Sequence, residues 1–333
     1  MIRDARALRE EFVPQDLHHR NSEISTLSTY LSPIEEGFPG ENVLITGPSG
    51  AGKTTLARFI ANELEMATLG VRTGYASCHS VSTTIGLIYS LLRDAGIGLD
   101  LRRGLPMQQY LDVLRETDSQ VVFIIDEVDA IEDFELLASL YLLPGVTTIM
   151  ICIDSDVLLS DLSMGVESRV RSAANLRLSK YRSDQLEDIV SGRVDAGLKP
   201  GTVDQATIQH IAKLAAGDAR LAITHLRRAA EYADNNDLAA LSPGLVDTVA
   251  DGAAGEVHTR NVERLSTHKR LLYDIIRTHT EIPANQLHQE YERKSSSPKS
   301  KVTRRRYLGA LERYRLIEKE GATRGTTYRS VNP

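Results

Sequence analysis

Residues 42–60 read NVLITGPSGAGKTTLARFI, and the order of elements within them decides the fold: a short apolar run, a glycine-rich turn, then a helical pattern. In the turn, Gly47, Gly52, Lys53 and Thr54 keep the G-x-x-x-x-G-K-T register of a phosphate-binding loop. Glycines are needed there because consecutive backbone N–H groups must converge on a phosphate, and the helix that follows adds the positive end of its dipole. Gly47, Pro48, Ser49, Gly50, Ala51, Gly52, Lys53, Thr54 and Thr55 are therefore candidate nucleotide-binding residues. Lys53 is expected on the β and γ phosphates of ATP, or on the β phosphate of ADP, and the Thr54 hydroxyl on a Mg2+ ion.

Outward from this stretch, TGYASC, VVFIIDE and TTIMICID alternate with helical patterns such as TIGLIYSLLRDAG. That rhythm predicts an α/β P-loop domain, a parallel sheet covered by helices on both faces, over residues 1–178. VVFIIDEVDAI ends its apolar run in Asp126 and Glu127. Phosphoryl transfer needs positioning, charge neutralisation and an oriented nucleophile, so Asp126 is the second candidate Mg2+ ligand and Glu127 the candidate group that polarises water.

After Leu178 the strand signals fade. SDQLEDIVSGRVDAG and DQATIQHIAKLAAGDARLAITHLRRAAEYADNN space their apolar residues by three and four, which predicts a small all-helical domain over residues 179–255, with Ser183 and Asp204 as N-caps. ADGAAGEV suggests a linker near Gly252–Gly255. Residues 256–333 read helix, helix, helix, hairpin, the pattern of a winged helix-turn-helix.

The chain has 333 residues and a net charge of −6, yet residues 257–333 carry 17 Lys plus Arg against 8 Asp plus Glu, a balance of +9, leaving −15 on the remainder. A cationic module on an acidic body points to nucleic acid. KSKVTRRRYLGALERYRL, residues 299–316, concentrates that charge. With Leu308 and Leu311 inward, three- and four-residue steps place Val302, Arg305, Arg306, Gly309 and Arg313 on the opposite face. Arg305, Arg306 and Arg313 are candidates for the major groove, Lys299, Lys301 and Thr303 for phosphates at the helix start, and Arg324 for the tip of the wing. Arg304 either packs inward along its stem or reaches a phosphate from the edge. Cys78 and Cys152 sit among apolar or small residues and read as buried hydrophobes, not as a disulfide or metal site. No apolar run reaches membrane-spanning length, and a cytoplasmic, nucleoid-associated protein is expected.

These residues resemble the archaeal origin-recognition and Cdc-type replication initiators of the AAA+ class. FVPQDLHHR is similar to that family's opening, with Pro14, Leu17, His19 and Arg20 bordering the adenine; FIIDEVDAI resembles its acidic box, and GDARLAITHLRRAAEYA its helical lid. The resemblance implies that Arg220 contacts the nucleotide phosphates from the lid, that Tyr181 and Arg193 lie near the nucleotide, and that Arg169 is an arginine finger for a neighbouring copy. Ser155 stands where the family usually has an asparagine that orients the water, which implies slow hydrolysis. The role implied is an ATP-binding replication initiator, with ATP or ADP acting as a switch more than as fuel. Double-stranded origin DNA, the replicative helicase and further initiator copies are its implied partners. A regulatory or defence NTPase whose winged helix binds a protein, or a transcriptional regulator with a degenerate nucleotide site, stays open as an alternative.

Overall fold

The computed structural model describes residues 1–331 apart from 79, 82, 132–133, 161 and 322–324. Five parallel strands, β1 (Val43–Thr46), β2 (Val71–Ser77), β3 (Gln120–Asp126), β4 (Val146–Ile151) and β5 (Ala174–Arg177), form one sheet in the order β2-β3-β4-β1-β5. The inner strands β1 and β4 are buried at every residue, as strands covered on both faces must be. Around them lie α1 (Asn21–Leu31), α2 (Lys53–Ala67), α3 (Thr84–Asp94), α4 (Met107–Arg115), α5 (Glu135–Leu140), α6 (Ser155–Leu159) and α7 (Met164–Ser172). Cys78 and Cys152 are both buried and free.

The expected parallel sheet is present, with one strand more than the apolar runs suggested. In β5 only Leu176 is buried, because an edge strand packs on one neighbour and needs no continuous apolar run.

The lid is built from α8 (Ser183–Gly197), α9 (Gln205–Ala215), α10 (Ala219–Asn235) and α11 (Pro243–Glu263). Asp204 caps α9 by accepting from the Thr207 N–H, as expected. Ser183 is instead the first residue of α8; the N-cap is Arg182, whose own N–H is satisfied by the Gln185 side chain at 2.9 Å. The linker expected at Gly252–Gly255 is helix throughout. Small residues let α11 lie close to α10, where Glu256 accepts from Arg227 at 2.6 Å and Arg228 at 2.9 Å, and this packing overrides the weak helix propensity of glycine. The boundary expected at residue 255 thus falls inside a helix. The first residues of the chain also depart from expectation. Leu8 lies in the lid core, Ile2 bridges Leu198, and the N-terminal ammonium meets Asp234 at 2.6 Å, so this segment belongs with the lid and not with the α/β body.

The C-terminal domain packs α12 (Thr267–Arg277), α13 (Ala284–Lys294) and α14 (Lys301–Arg313) against an antiparallel sheet of β6 (Ile282–Pro283), β7 (Ile317–Glu320) and β8 (Thr327–Ser330), the winged-helix arrangement. Of the two readings open for Arg304, the structure takes the inward one. It is buried, lies over the Tyr291 ring, and donates to the His288 carbonyl at 3.0 Å and to Glu292 at 2.6 Å. Arg304→Ala removes two charge-assisted bonds and is expected to destabilise the chain by about 2 kcal/mol in chemical denaturation, well beyond the effect of truncating exposed Arg305.

Candidate nucleotide site and DNA-facing helix

The loop between β1 and α2 lies at the carboxyl ends of the strands, where open parallel sheets place their ligands. Its backbone shape depends on glycine. Gly50 and Gly52 have φ of 71° and 84°, and a Cβ on either would collide, with the Asp218 carboxylate in the first case and the Tyr181 hydroxyl in the second. The loop borders a cavity of about 530 Å3, within the usual range for a small-molecule site. Ser49 to Thr55, Asp126, Glu127 and Arg220 all line it.

Lys53 is buried, with Nζ donating to the Gly47 and Pro48 carbonyls at 2.8 and 2.9 Å. Burial lowers its pKa to about 8, opposed by the Asp126 carboxylate. The Thr54 hydroxyl donates to Asp126 Oδ2 at 2.7 Å, and the Tyr75 hydroxyl reaches the same oxygen at 3.2 Å. These groups fit a nucleotide with magnesium. A hydroxyl and a carboxylate side by side are hard oxygen donors, and Mg2+ in nucleotide sites takes only one or two protein oxygens beside phosphates and water. Among the described residues there is no cluster of three or more acidic, His or Cys ligands, and this mode of binding requires none.

Glu127 adopts a left-handed backbone, φ 54°, a strained choice for a residue other than glycine and one that occurs at functional sites. Its Oε2 accepts from the Ser77 hydroxyl at 2.9 Å, and its Oε1 faces Arg264 Nε at 3.4 Å. Burial raises its pKa; Arg264 opposes that rise and Asp126 adds to it.

The lid closes over the loop. The Ala219 N–H donates to the Gly50 carbonyl at 3.1 Å, and Arg220 Nη1 reaches Ser49 Oγ at 3.4 Å while Nε pairs with Glu10 at 3.1 Å. Tyr181 packs against Gly52 beneath the guanidinium of Arg20, which lies 4.2 Å above its ring and donates to the Ala51 and Ser179 carbonyls. Tyr181 and Arg20 thus brace the loop from behind.

Other expected residues lie elsewhere. Arg193 does not line the cavity: its guanidinium is spent on the Ala7, Arg9 and Phe12 carbonyls at 2.9, 3.2 and 3.0 Å, and it fastens the N-terminal segment to the lid. Burial lowers its pKa to about 10. Ser155 is corrected likewise. It opens α6 beyond the cavity wall, where β4 and the residues after it contribute Ile151, Cys152 and Ile153. His19 pairs with Asp188 of α8 at 2.6 Å; with Leu17 it lines a neighbouring cleft, whereas Glu10, Glu11 and Val13 border the main cavity. Arg169 is half-buried on α7, bonded to the Gly165 carbonyl, and lies outside its own chain's cavity.

Sequence reasoning missed Arg264 and Tyr314, which enter the cavity wall from the C-terminal side of the chain. No local signal marks them. An arginine ending a helix reads as an ordinary favourable charge at the negative end of its dipole.

On α14, Lys299 and Lys301 are exposed near its start, Thr303 shares a hydrogen bond with Ser300, Arg305 is exposed and Arg306 half-buried. Arg313 pairs with Asp154 of the α/β body at 2.7 Å. Arg324 lies outside the described residues. Among the described residues, no helix is long and apolar enough to cross a membrane.

Residues 38–156 match the AAA domain family, and residues 187–255 match the Cdc6 AAA+ ATPase-type lid domain. ORC1-type DNA replication protein 9 of Halobacterium salinarum is 36% identical, with 100% of this chain and 94% of that protein aligned. ORC1-type DNA replication protein 1 of the same organism is 34% identical, over 90% of this chain and 98% of that protein. Of solved structures, the Aeropyrum pernix ORC1 protein in complex with DNA superimposes with a TM-score of 0.72 at 22% identity, over 98% of this chain and 92% of that one. The Aeropyrum pernix ORC2 protein in ADPNP-ADP complexes gives 0.69 at 24%, over 99% and 94%. At these identities the two structures speak to the fold.

Proposed function

Since the chain belongs to the family of ORC1-type DNA replication proteins, we propose that it is an ATP-binding initiator that recognises double-stranded origin DNA, with its ATP or ADP state as the switch. The observation that carries this reading is the joining, in one chain, of a lid-covered P-loop cavity to a winged domain whose α14 carries a row of arginines.

In this reading Gly47–Thr55 wrap the phosphates, Lys53 and Arg220 neutralise them, and Thr54 with Asp126 holds Mg2+. Bound ATP and Mg2+ supply the transferable phosphoryl group and its charge neutralisation. Glu127 accepts a proton from water at the mouth of the cavity, and the lid moves with the nucleotide because Ala219 and Arg220 touch the loop directly. Arg169, placed outside its own cavity, serves a second copy, and the replicative helicase is a separate partner of the initiator. Lys299, Lys301 and Thr303 neutralise or anchor on phosphates, while Arg305, Arg306 and Arg313 read the major groove.

The test is equilibrium binding of the full chain to duplex DNA across a salt series. Affinity is expected to fall steeply from low to physiological salt, and Lys299→Ala with Lys301→Ala to reduce the slope of log K against log salt by about 2. An affinity indifferent to salt, or a double variant that binds like the parent, removes the DNA reading. Brisk ATP turnover unaffected by duplex would favour the regulatory NTPase.

A further inference from the structure

Among the described residues, three ion pairs seat the C-terminal part of the chain on the α/β body. Lys269 of α12 meets Asp129 at 2.7 Å, and both side chains are almost fully buried. Arg313 at the end of α14 meets Asp154 at 2.7 Å. Arg264, between α11 and α12, faces Glu127 at 3.4 Å. The seating is also apolar: Val157 of α6 belongs to the winged domain's core, and Tyr314 is buried against the nucleotide cavity.

This arrangement acts on both proposed activities at once. At the ATPase site, each Glu127 oxygen has a partner, Ser77 on one and Arg264 on the other. A cation on a carboxylate lowers its basicity and fixes its direction, both of which oppose proton abstraction from water. At the DNA side, Arg305, Arg306 and Arg313 line one wall of a cleft of about 650 Å3 whose other wall carries Asp154, Asp156 and Glu167, the last already paired with Arg171 at 2.7 Å. A major groove about 12 Å wide must enclose a reading helix, and the body closes this face at its Arg313 end. Gly309 sits mid-helix on the same face, and a Cβ added to it would meet no heavy atom within 4 Å, so no contact with the body accounts for a poor helix former there. The two sides are linked within a few residues. Asp154 follows Ile153, whose carbonyl accepts the Gly47 N–H at 3.2 Å.

We propose that Arg264 is a positioning residue for Glu127 through which the seated winged domain restrains hydrolysis, and that duplex DNA, by competing with the acidic cleft for the α14 arginines, unseats the domain and withdraws Arg264. This rests on the initiator reading above. Arg264 caps lid helix α11, its N–H bonded to the Arg260 carbonyl at 3.1 Å, while its neighbour Leu265 is part of the winged domain's core and Lys269 anchors the helix that follows, so Arg264 sits at the joint that unseating moves. Lys53 and Arg220 remain in the cavity when Arg264 leaves, so phosphate binding persists while Glu127 gains freedom.

The experiment uses the full chain and the variants Arg264→Gln, Arg264→Lys and Asp154→Asn. Asparagine keeps the N-cap acceptor that Asp154 provides to the Asp156 and Val157 N–H groups, and the change lies outside the α14 helix. Steady-state ATP turnover is measured with and without duplex, with duplex affinity and hydrogen exchange of residues 155–159 measured alongside. R264Q is expected to raise DNA-free kcat about fivefold with KM for ATP unchanged, and to lose stimulation by duplex; R264K stays restrained and DNA-responsive. D154N is expected to tighten duplex binding about fivefold, and both R264Q and D154N to speed exchange in residues 155–159 without any ligand. A lower kcat or higher KM in R264Q, duplex stimulation that survives it, unchanged duplex affinity in D154N, or unchanged exchange each overturns the inference. Failure of the initiator reading looks different: the parent protein then binds no duplex at low salt, whatever the exchange of residues 155–159 shows.

Discussion

Lys53→Ala is expected to weaken ATP and ADP binding by at least about 100-fold, which corresponds to about 2.7 kcal/mol. The ammonium is held inside the loop by the Gly47 and Pro48 carbonyls. A charge already desolvated by the protein interacts with phosphate far more strongly than one in water, because its hydration has been surrendered on folding. With Lys53 gone, Arg220 does not replace it, being tied to Ser49 and Glu10. Calorimetric titration measures the loss, and circular dichroism checks that the variant remains folded. DNA affinity at low salt is expected to be largely retained, since Lys53 touches nothing in the winged domain. Nucleotide affinity within a few-fold of the parent would show that the cavity is not a P-loop site in function.

Glu127→Gln separates binding from chemistry. A general base contributes about 10²–10⁴ in rate, so single-turnover hydrolysis is expected to fall by at least about 100-fold while the Kd for ATP stays close to the parent's. Glutamine keeps a hydrogen-bond acceptor for Ser77 but cannot take a proton or hold Arg264 by charge. Parental hydrolysis in this variant would place the base elsewhere in the cavity; loss of ATP binding would make Glu127 structural. Asp126 is the less informative target, because its removal would disturb Thr54, Tyr75 and the Glu127 N–H together.

The parts of the site legible in the sequence are those whose chemistry is contiguous. Gly47 to Thr55 must be consecutive because one loop supplies the N–H groups, and Asp126 and Glu127 must follow an apolar run because a buried strand presents them at its end. Arg220 was legible only by resemblance, its partners Ser49 and Glu10 lying far off in the chain. Arg193 shows where such transfer fails. Its position in the lid agrees with the family pattern, but burial beside three carbonyls gives it a different task. Ser155 aligned with a sensor position, whereas the turn that Asp154 caps sends it into α6, beyond the cavity. The glycines near 252–255 read as a linker because propensity was weighed without α10 beside them.

By itself, the sequence determined a P-loop α/β body, a helical lid, a basic winged end, and the positions of the glycine-rich loop and of the Asp126 and Glu127 pair. Each of these follows from periodicity or from chemistry packed into a few neighbouring positions. Tertiary structure alone decided that the winged domain returns to the nucleotide cavity, that Arg264 and Lys269 meet Glu127 and Asp129, and that Arg313 at the end of α14 pairs with Asp154. The physical reason is that ion pairs between distant segments depend on how domains pack, and a charge leaves no mark in the chain of which partner it will find.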